Sequence, residues 1–539
     1  MVERLVIDPV TRIEGHLKIE VEINNGVVTD AWSSGTLFRG IETILQGRDP
    51  DEAWLITQRL CGVCTYIHGV TSVRSVEDAV NVTVPENARH IRNLLTGGLF
   101  VHDHPVHFYH LSALDWVDIV SALSANVAAT ESMANSLSPN APAIDFAATQ
   151  LSLQNFVDSG KLGPFAGGYW GHSAYTLSPE ENLLFAAHYL YALRQQVKAG
   201  RMHAIFGGKN PHVQSLRVGG VTCQNEINST RINEFRSLLN EMRDFIDNVY
   251  LPDVQHLASA YPEWGAIGGF KNYLAFGEFQ MSNTNQGDLF LPAGVIMDQN
   301  IGQVNDVMLG EINEHVQHSW YEGSTARYPQ NGETVPGYTG YDTADRYSWM
   351  KAPRYQGEPM EVGPLARVLV AYGMGHSAFV NAVDSFLAKA GLTIEAMHST
   401  LGRSAARAIE TKVIADEMGS WLDQLQPGAI ARVSVSLPNQ ASGIGLNEAP
   451  RGALGHWINI ENQKIGNYQM VVPSTWNLGP RCASGSRGPV EEALIGTPVA
   501  NPEQPVEILR IVHSYDPCIA CAVHVTDNDQ QTHYEVKVL

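Results

Sequence analysis

Clusters of basic residues, long apolar runs and cysteines are all scarce in this chain of 539 residues. Its formal net charge is −21, from 35 Lys and Arg against 56 Asp and Glu. Nucleic acids and anionic membranes are held by cationic patches, so no nucleic-acid partner is expected. No apolar run reaches the roughly 18–20 residues that a membrane-spanning helix needs. The opening MVERLVIDPVTRIEGHLKIE has neither an apolar export core nor a twin arginine, so the chain is read as carrying no export signal of its own. The phosphate-binding fingerprints are also missing. GGYWG, GGVTC and GIGLNEAP are glycine clusters outside the strand–turn–helix pattern that cradles a nicotinamide nucleotide or ATP. Six cysteines are far too few for a disulfide scaffold, which leaves redox dithiols, metal ligands or coincidence.

What is present is a folding sequence: 44% hydrophobic and 17% charged residues. Residues 4–34 alternate apolar and polar around Asn24-Asn25-Gly26, which predicts a β-hairpin. Asp51, after Pro50, is expected to cap a helix that runs to Leu60 and delivers Cys61. Helical periodicity runs from Glu86 to about Met133, and again over about 178–204, 229–259, 363–390 and 399–424. These faces are wide enough to pack together as a buried bundle. A second β-rich segment covers about 430–475, and PVEILRIVHSYDPC predicts a short helix ending at the Pro517 turn. The Tyr-, Pro- and Gly-rich stretch 320–362 is too long for a plain connector. It reads equally as a packed surface loop or a partner-binding surface. The expected fold class is α+β, mainly α, with a large helical-bundle core and peripheral β-hairpins and sheets, as one cooperative domain.

Four of the cysteines form two Cys-x-x-Cys pairs, Cys61/Cys64 and Cys518/Cys521, each followed closely by a histidine, His68 and His524. Each pair offers two sulfurs from one tight loop, and two loops complete a four-sulfur site. A structural zinc is the plain reading. Three features pull away from it: the pairs sit at opposite ends of a chain with ample core, acid–base groups crowd them (Asp516, His68, Glu14), and residues 525–539 follow the last pair. Cys223 and Cys482 are singletons, read as ordinary buried or loop thiols. An iron–sulfur cluster usually takes four ligands, so none is expected in this chain; if the four-sulfur site does electron chemistry, its electrons must leave through another.

RLCGVCTYIH and DPCIACAVH resemble the two signatures of the NiFe-hydrogenase large subunit. The resemblance extends over the chain through DPVTRIEGHL, GTLFRGIE, HDHPVHFYHLSALDWVD, GGKNPH, HSWYEG, STLGR, EAPRGALGHW and VVPSTWNLGPR. It is nearest the respiratory uptake group, whose members are membrane-associated or periplasmic. The resemblance implies nickel held by Cys61 and Cys518 as terminal ligands. Cys64 and Cys521 would bridge to an iron that carries carbon monoxide and two cyanides. It implies heterolytic, reversible splitting of H2 into protons and electrons, with electrons passed to an iron–sulfur small subunit.

By the same resemblance, Cys518 and Arg451 are the candidate bases. Cys518 is favoured, because an arginine pKa lies above ~12. Asp103 and Asp516 would hold Arg451, and Glu14 would gate the proton path. Ser474 and the backbone at Pro473 would donate to a cyanide, with Pro450 alongside, and His68 would hydrogen-bond the Cys64 sulfur. Glu42, the Met470 carbonyl and His524 match a buried magnesium (or iron) site. His102, His104, His107 and His110 are read as supporting groups, not a separate metal site. The tail implies a nickel-dependent maturation endopeptidase that cuts after His524, so residues 1–524 form the catalytic domain and 525–539 a removable peptide. A cytochrome b or other quinone-linked anchor, and export with a signal-bearing small subunit to the periplasm, complete the implied setting. The alternatives are an H2-sensing regulatory hydrogenase, a non-catalytic relative in respiratory quinone reductases, and a four-cysteine zinc protein.

Overall fold

Glu86–Val106 is the helix around which the others gather; it packs on Pro179–Gly207 and on Thr400–Asp423. The structure, a computed structural model, describes residues 2–283 and 287–522. Nearly every side chain of the Glu86–Val106 helix is buried, charged ones included. Pro105 removes one backbone donor near its end, and the chain answers by widening into a π-helical turn, His107–Ser112. The sequence predicted one helical stretch to about Met133. The structure divides it, because Asp118 accepts from the Val120 and Ser121 amides and Asn126 starts a fresh helix, Val127–Leu137.

The other predicted helices form close to their expected limits. Ser178 and Glu181 make a reciprocal capping box at the start of Pro179–Gly207. Ser399 caps Thr400–Asp423. The 229–259 stretch becomes Ser229–Phe245, a π-turn and Leu251–Ala260. The 363–390 stretch breaks at Met374–His376 into Pro364–Gly373 and Ser377–Ala390. Asp51 does not cap. Asp49 does, accepting from the Asp51 amide, while the Asp51 carboxylate pairs with Arg217. Asp49 holds the position one residue before Pro50, which starts the turn at N1.

The β structure is peripheral and antiparallel. Val2–Ile7, Leu17–Asn24 and Val27–Gly35 form one meander. Gln440–Ala449, Gly452–Glu461 and Lys464–Val471 form another, and its first strand lies on the Ile67–Ala79 helix. That contact is close because glycines face the helix: a Cβ on Gly445 would lie 2.1 Å from the Thr71 carbonyl oxygen. The mainly helical α+β architecture expected from the periodicity is therefore the one observed.

The 320–362 stretch is a packed segment with its own aromatic cluster, Trp320, Tyr338 and Trp349. It folds over the first sheet, where Lys18 sits 3.6 Å from the Tyr341 ring centre. Among the described residues no helix is long and apolar enough to cross a membrane.

Candidate metal centre

Cys61 leaves the short Gln58–Leu60 turn in extended conformation. The chain then doubles back, so that the Val63 and Cys64 amides each donate to the Cys61 Sγ at 3.3 Å. Successive N–H groups aimed at one sulfur favour its anionic form. Cys518 arrives from the other end of the chain, after the Val506–Ser514 helix and a left-handed residue, Asp516, at φ 54°. Two backbone bonds dock this segment on the N-terminal one. The Glu14 amide donates to the Pro517 carbonyl at 3.2 Å, and the Ile519 amide donates to the Glu14 carbonyl at 2.8 Å.

The result is a meeting of distant thiols. Cys61 Sγ and Cys518 Sγ lie 3.4 Å apart across 457 positions of sequence. The sulfurs of Cys61, Cys64 and Cys518 all fall within 4.8 Å of one another, and all three residues are buried. A disulfide needs about 2.05 Å, so these are separate sulfurs. Two thiolates on one tetrahedral metal, each at about 2.3 Å, stand about 3.8 Å apart, so the spacing suits shared ligation. The donor set fits a soft, thiolate-seeking metal. The Cys521 side chain and His524 lie outside the described residues.

Acid–base groups surround the sulfurs. The Cys518 thiol donates to a Glu14 carboxylate oxygen at 3.2 Å, and the Ala520 amide donates to the same oxygen at 2.9 Å. Burial raises the Glu14 pKa and the Cys61 charge adds to it, against the pull of those hydrogen bonds and of Arg451.

Arg451 occupies the tip of the second meander's first hairpin, in the two-residue turn between Ala449 and Gly452. Gly452 and Gly363 meet there, both in the positive-φ region at 135° and 126°. A Cβ on Gly452 would lie 2.6 Å from the Gly363 amide nitrogen, so no larger residue fits. Arg451 donates to the Asp516 carbonyl at 3.0 Å and its carboxylate at 2.9 Å, with Asp103 at 3.7 Å. Burial works against the Arg451 charge, but Asp516, Cys518 and Asp103 outweigh it and hold the pKa well above the ordinary value. Asp103 in turn accepts from His102 at 2.9 Å.

The remaining expected residues are placed as follows. Ser474 accepts from the Cys518 amide at 3.0 Å, which leaves its own hydroxyl hydrogen to donate. Pro473 is the first residue of the Pro473–Leu478 helix. The Pro450 carbonyl accepts from Arg367 at 3.1 Å. His68, expected to hydrogen-bond the Cys64 sulfur, places its Nδ1 3.1 Å from His456 Nε2. His104 meets Glu410, His107 donates to the His513 carbonyl, and His110 to that of Tyr189. Each of these rings is thus committed to a separate protein partner. Cys223 and Cys482 are both buried, and burial pushes the Cys223 thiol up to about 12.

Glu42 accepts from the Met470 amide at 2.8 Å and from the Thr334 hydroxyl. Lys351 stands 3.6 Å from Glu42, 3.4 Å from Glu314 and 2.9 Å from Gln469 Oε1. Burial raises Glu314 to about 7 in spite of Lys351. One Glu314 oxygen has no partner among the described residues. A buried carboxylate with a spare oxygen, beside Glu42 and a glutamine oxygen, is a donor set a hard divalent cation would take.

Sequence reasoning did not find Lys351, Glu314, Gln469 or Thr334. Nor did it find Arg39, which donates to the Leu60 carbonyl at 2.6 Å and the Ala520 carbonyl at 3.5 Å. Arg39 thereby ties the two cysteine loops together. Only its place in GTLFRGIE could have marked it.

Residues 39–524 match the profile of the family described as nickel-dependent hydrogenase, and residues 4–34 match one described as HoxL-like. The chain belongs to the nickel-dependent hydrogenase family. It is the catalytic large subunit of a NiFe hydrogenase, an oxidoreductase. It is 46% identical to the uptake hydrogenase large subunit of Bradyrhizobium diazoefficiens, over 99% of this chain and 97% of that one. Identity to the hydrogenase-2 large chain of Escherichia coli K12 is 42% over the whole of both. The fold is similar to that of the Ni-Fe-Se hydrogenase from D. vulgaris Hildenborough in its reduced state. The TM-score is 0.80 and the identity 35%, covering 97% of this hydrogenase chain and all of that one.

Proposed function

We propose that this large subunit cleaves H2 heterolytically and reversibly and passes the electrons to an iron–sulfur small subunit. The observation that carries the reading is the Cys61–Cys518 sulfur contact at 3.4 Å with the Glu14 carboxylate 3.2 Å from the Cys518 sulfur. Cys61, Cys64, Cys518 and Cys521 would hold nickel, with Cys64 and Cys521 shared with an iron bearing carbon monoxide and two cyanides. When bound, that group polarises H2 and takes up its electron pair.

The protein's own part is proton handling and orientation. The Cys518 sulfur accepts the proton and hands it to Glu14, with which it already shares a hydrogen bond. Burial raises the pKa of that carboxyl, which makes it a better acceptor for the thiol's proton. Arg451 is a poor base, since the Asp516 and Asp103 carboxylates and the nearby cysteine sulfurs hold its proton; it serves as a fixed positive charge anchored by Asp516 and Asp103. Ser474 would donate to a cyanide from the helix that starts at Pro473, with Pro450 beside it. Glu42, the Met470 carbonyl and His524 would hold magnesium or ferrous iron.

Residues 1–524 would act as one catalytic unit once a nickel-dependent endopeptidase removes 525–539. The small subunit would carry the export signal to the periplasm, and a cytochrome b or another quinone-linked anchor would hold the pair at the membrane. The test is metal content together with turnover of the purified heterodimer. One nickel per heterodimer, with iron in excess because the small subunit's clusters add to it, and H2-dependent reduction of a viologen dye, is the expected result. Zinc alone, with no H2 uptake, overturns the reading. The mature chain should lack Val525–Leu539 by intact mass.

A further inference from the structure

A hydrogen-bonded chain of buried side chains leads to His68 from the far sheet. Tyr468, in the Lys464–Val471 strand, places its hydroxyl 2.8 Å from His456 Nδ1. His456 belongs to the neighbouring strand, and its Nε2 lies 3.1 Å from His68 Nδ1. All three side chains are buried, with His456 and Tyr468 at 0% exposure and His68 at 3%. The two strands pair His456 with Met470, so Tyr468 sits two residues along on the next strand and points to the same face. Sheet register therefore fixes the phenol against the imidazole. The rings of His68 and His456 stack at 27° with centres 5.4 Å apart, which leaves little room for either to turn.

We infer that His456 and Tyr468 are positioning residues that lock His68 in the tautomer with its hydrogen on Nε2. The argument is proton accounting. Both rings are neutral: burial takes His68 down to about 4 and His456 well below its ordinary value. Each ring then carries one hydrogen, and the two contacts of His456 must be one donated and one accepted. An imidazole nitrogen is a stronger acceptor than a phenol oxygen, so the Tyr468 O–H donates to His456 Nδ1. The hydrogen of His456 is therefore on Nε2, and it donates to His68 Nδ1. His68 is left with its hydrogen on Nε2, the nitrogen turned away from His456.

The chemical effect is on the thiolates. Cys61 is the anion whose charge acts on the His68 ring. A fixed N–H on that ring draws electron density from sulfur, whereas a bare nitrogen does the reverse. Groups behind a ligand tune a metal centre in this way. This second part rests on the hydrogenase reading; the tautomer itself does not.

Neutron diffraction of the matured heterodimer tests the tautomer directly. Deuterium density is expected on His68 Nε2, His456 Nε2 and the Tyr468 oxygen toward His456. Density on His68 Nδ1 overturns the proposal, whatever metal is bound. Two variants test the effect on the centre. Gln in H456Q accepts from Tyr468 and donates to His68, whereas Met in H456M does neither. The infrared bands of the iron-bound diatomic ligands should stay in place in H456Q and move by more than their width in H456M, at unchanged nickel content. Equal spectra in both variants refute the tuning role. Should H456M not assemble, Y468F reads the same loss, because it removes the phenol hydrogen and keeps the ring.

Discussion

At the scale of single residues, the site is a contest between burial and pairing. Glu14 is held among the thiols by two hydrogen bonds, and its carboxyl is the acid–base group directly on Cys518. Replacing it by Gln keeps the shape and removes the titrating proton. Positioned acid–base groups contribute about 100-fold or more to rates. E14Q should therefore lose about that factor in H2-dependent dye reduction while binding the same nickel per chain. Full turnover in E14Q would rule out its place on the proton path.

Arg367 shows the opposite case, a charge that is wholly structural. It donates to Glu410 and Glu448 and to the Ala449 and Pro450 carbonyls, all at 2.6–3.1 Å. It thus braces the turn that presents Arg451. Removing one partner of a buried pair costs about 3–5 kcal/mol, because the other charge stays buried. E410Q should lower unfolding stability by that order in a denaturant titration, and a loss under about 1 kcal/mol would show the network to be slack.

At the scale of elements, two close contacts position the chemistry. The Gly452 hairpin end abuts Gly363, and the strand through Gly445 lies on the Ile67–Ala79 helix that follows the first cysteine pair. A methyl group at Gly445 has no space, and overpacking typically costs about 1–3 kcal/mol. G445A should lose about 3 kcal/mol or more by thermal or chemical unfolding. Gly310, whose added Cβ would meet nothing within 4 Å, supplies the control, and G310A should unfold with the parent.

The helices were the legible elements, since periodicity and caps such as Ser178 and Ser399 are local signals. Their breaks were less so. The widened turn after Pro105 and the interruption at Met374–His376 depend on what the flanking helices pack against, which no window of sequence contains.

At the scale of the whole molecule, buried histidines set the response to acid. Burial takes His68, His90 and His110 to about 4 and His107 and His203 to about 3. The unfolded chain binds these protons near pH 6.5, and the native chain does not. Stability from these groups is complete above pH 6.5 and is lost as pH falls from there toward 4. Glu314, Glu448 and Glu491, each raised to about 7, act in the opposite sense, since protonation favours the native state between pH 4.5 and 7. The histidines lowered by burial, His456 among them, outnumber the acids raised by it, Glu14 included, so net stability should fall with falling pH. Each unmatched proton contributes about 1.4 kcal/mol per pH unit. Unfolding midpoints between pH 7 and 5 check the slope; a midpoint that rises toward pH 5 would show that the acids dominate.

The sequence by itself set out the candidates. Two thiol pairs offer sulfur ligands to a soft metal, and the resemblance carried by EAPRG and RIEGH puts forward Arg451 and Glu14 as the acid–base groups beside them. The tertiary structure alone decided what surrounds them. That Lys351 neutralises Glu42, that Arg39 joins the cysteine loops, and that Tyr468 reaches His68 through His456 are pairings between separate elements. Such pairings are set by sheet register and helix packing. Neither leaves a local period in the chain, so neither is written in any short stretch of it.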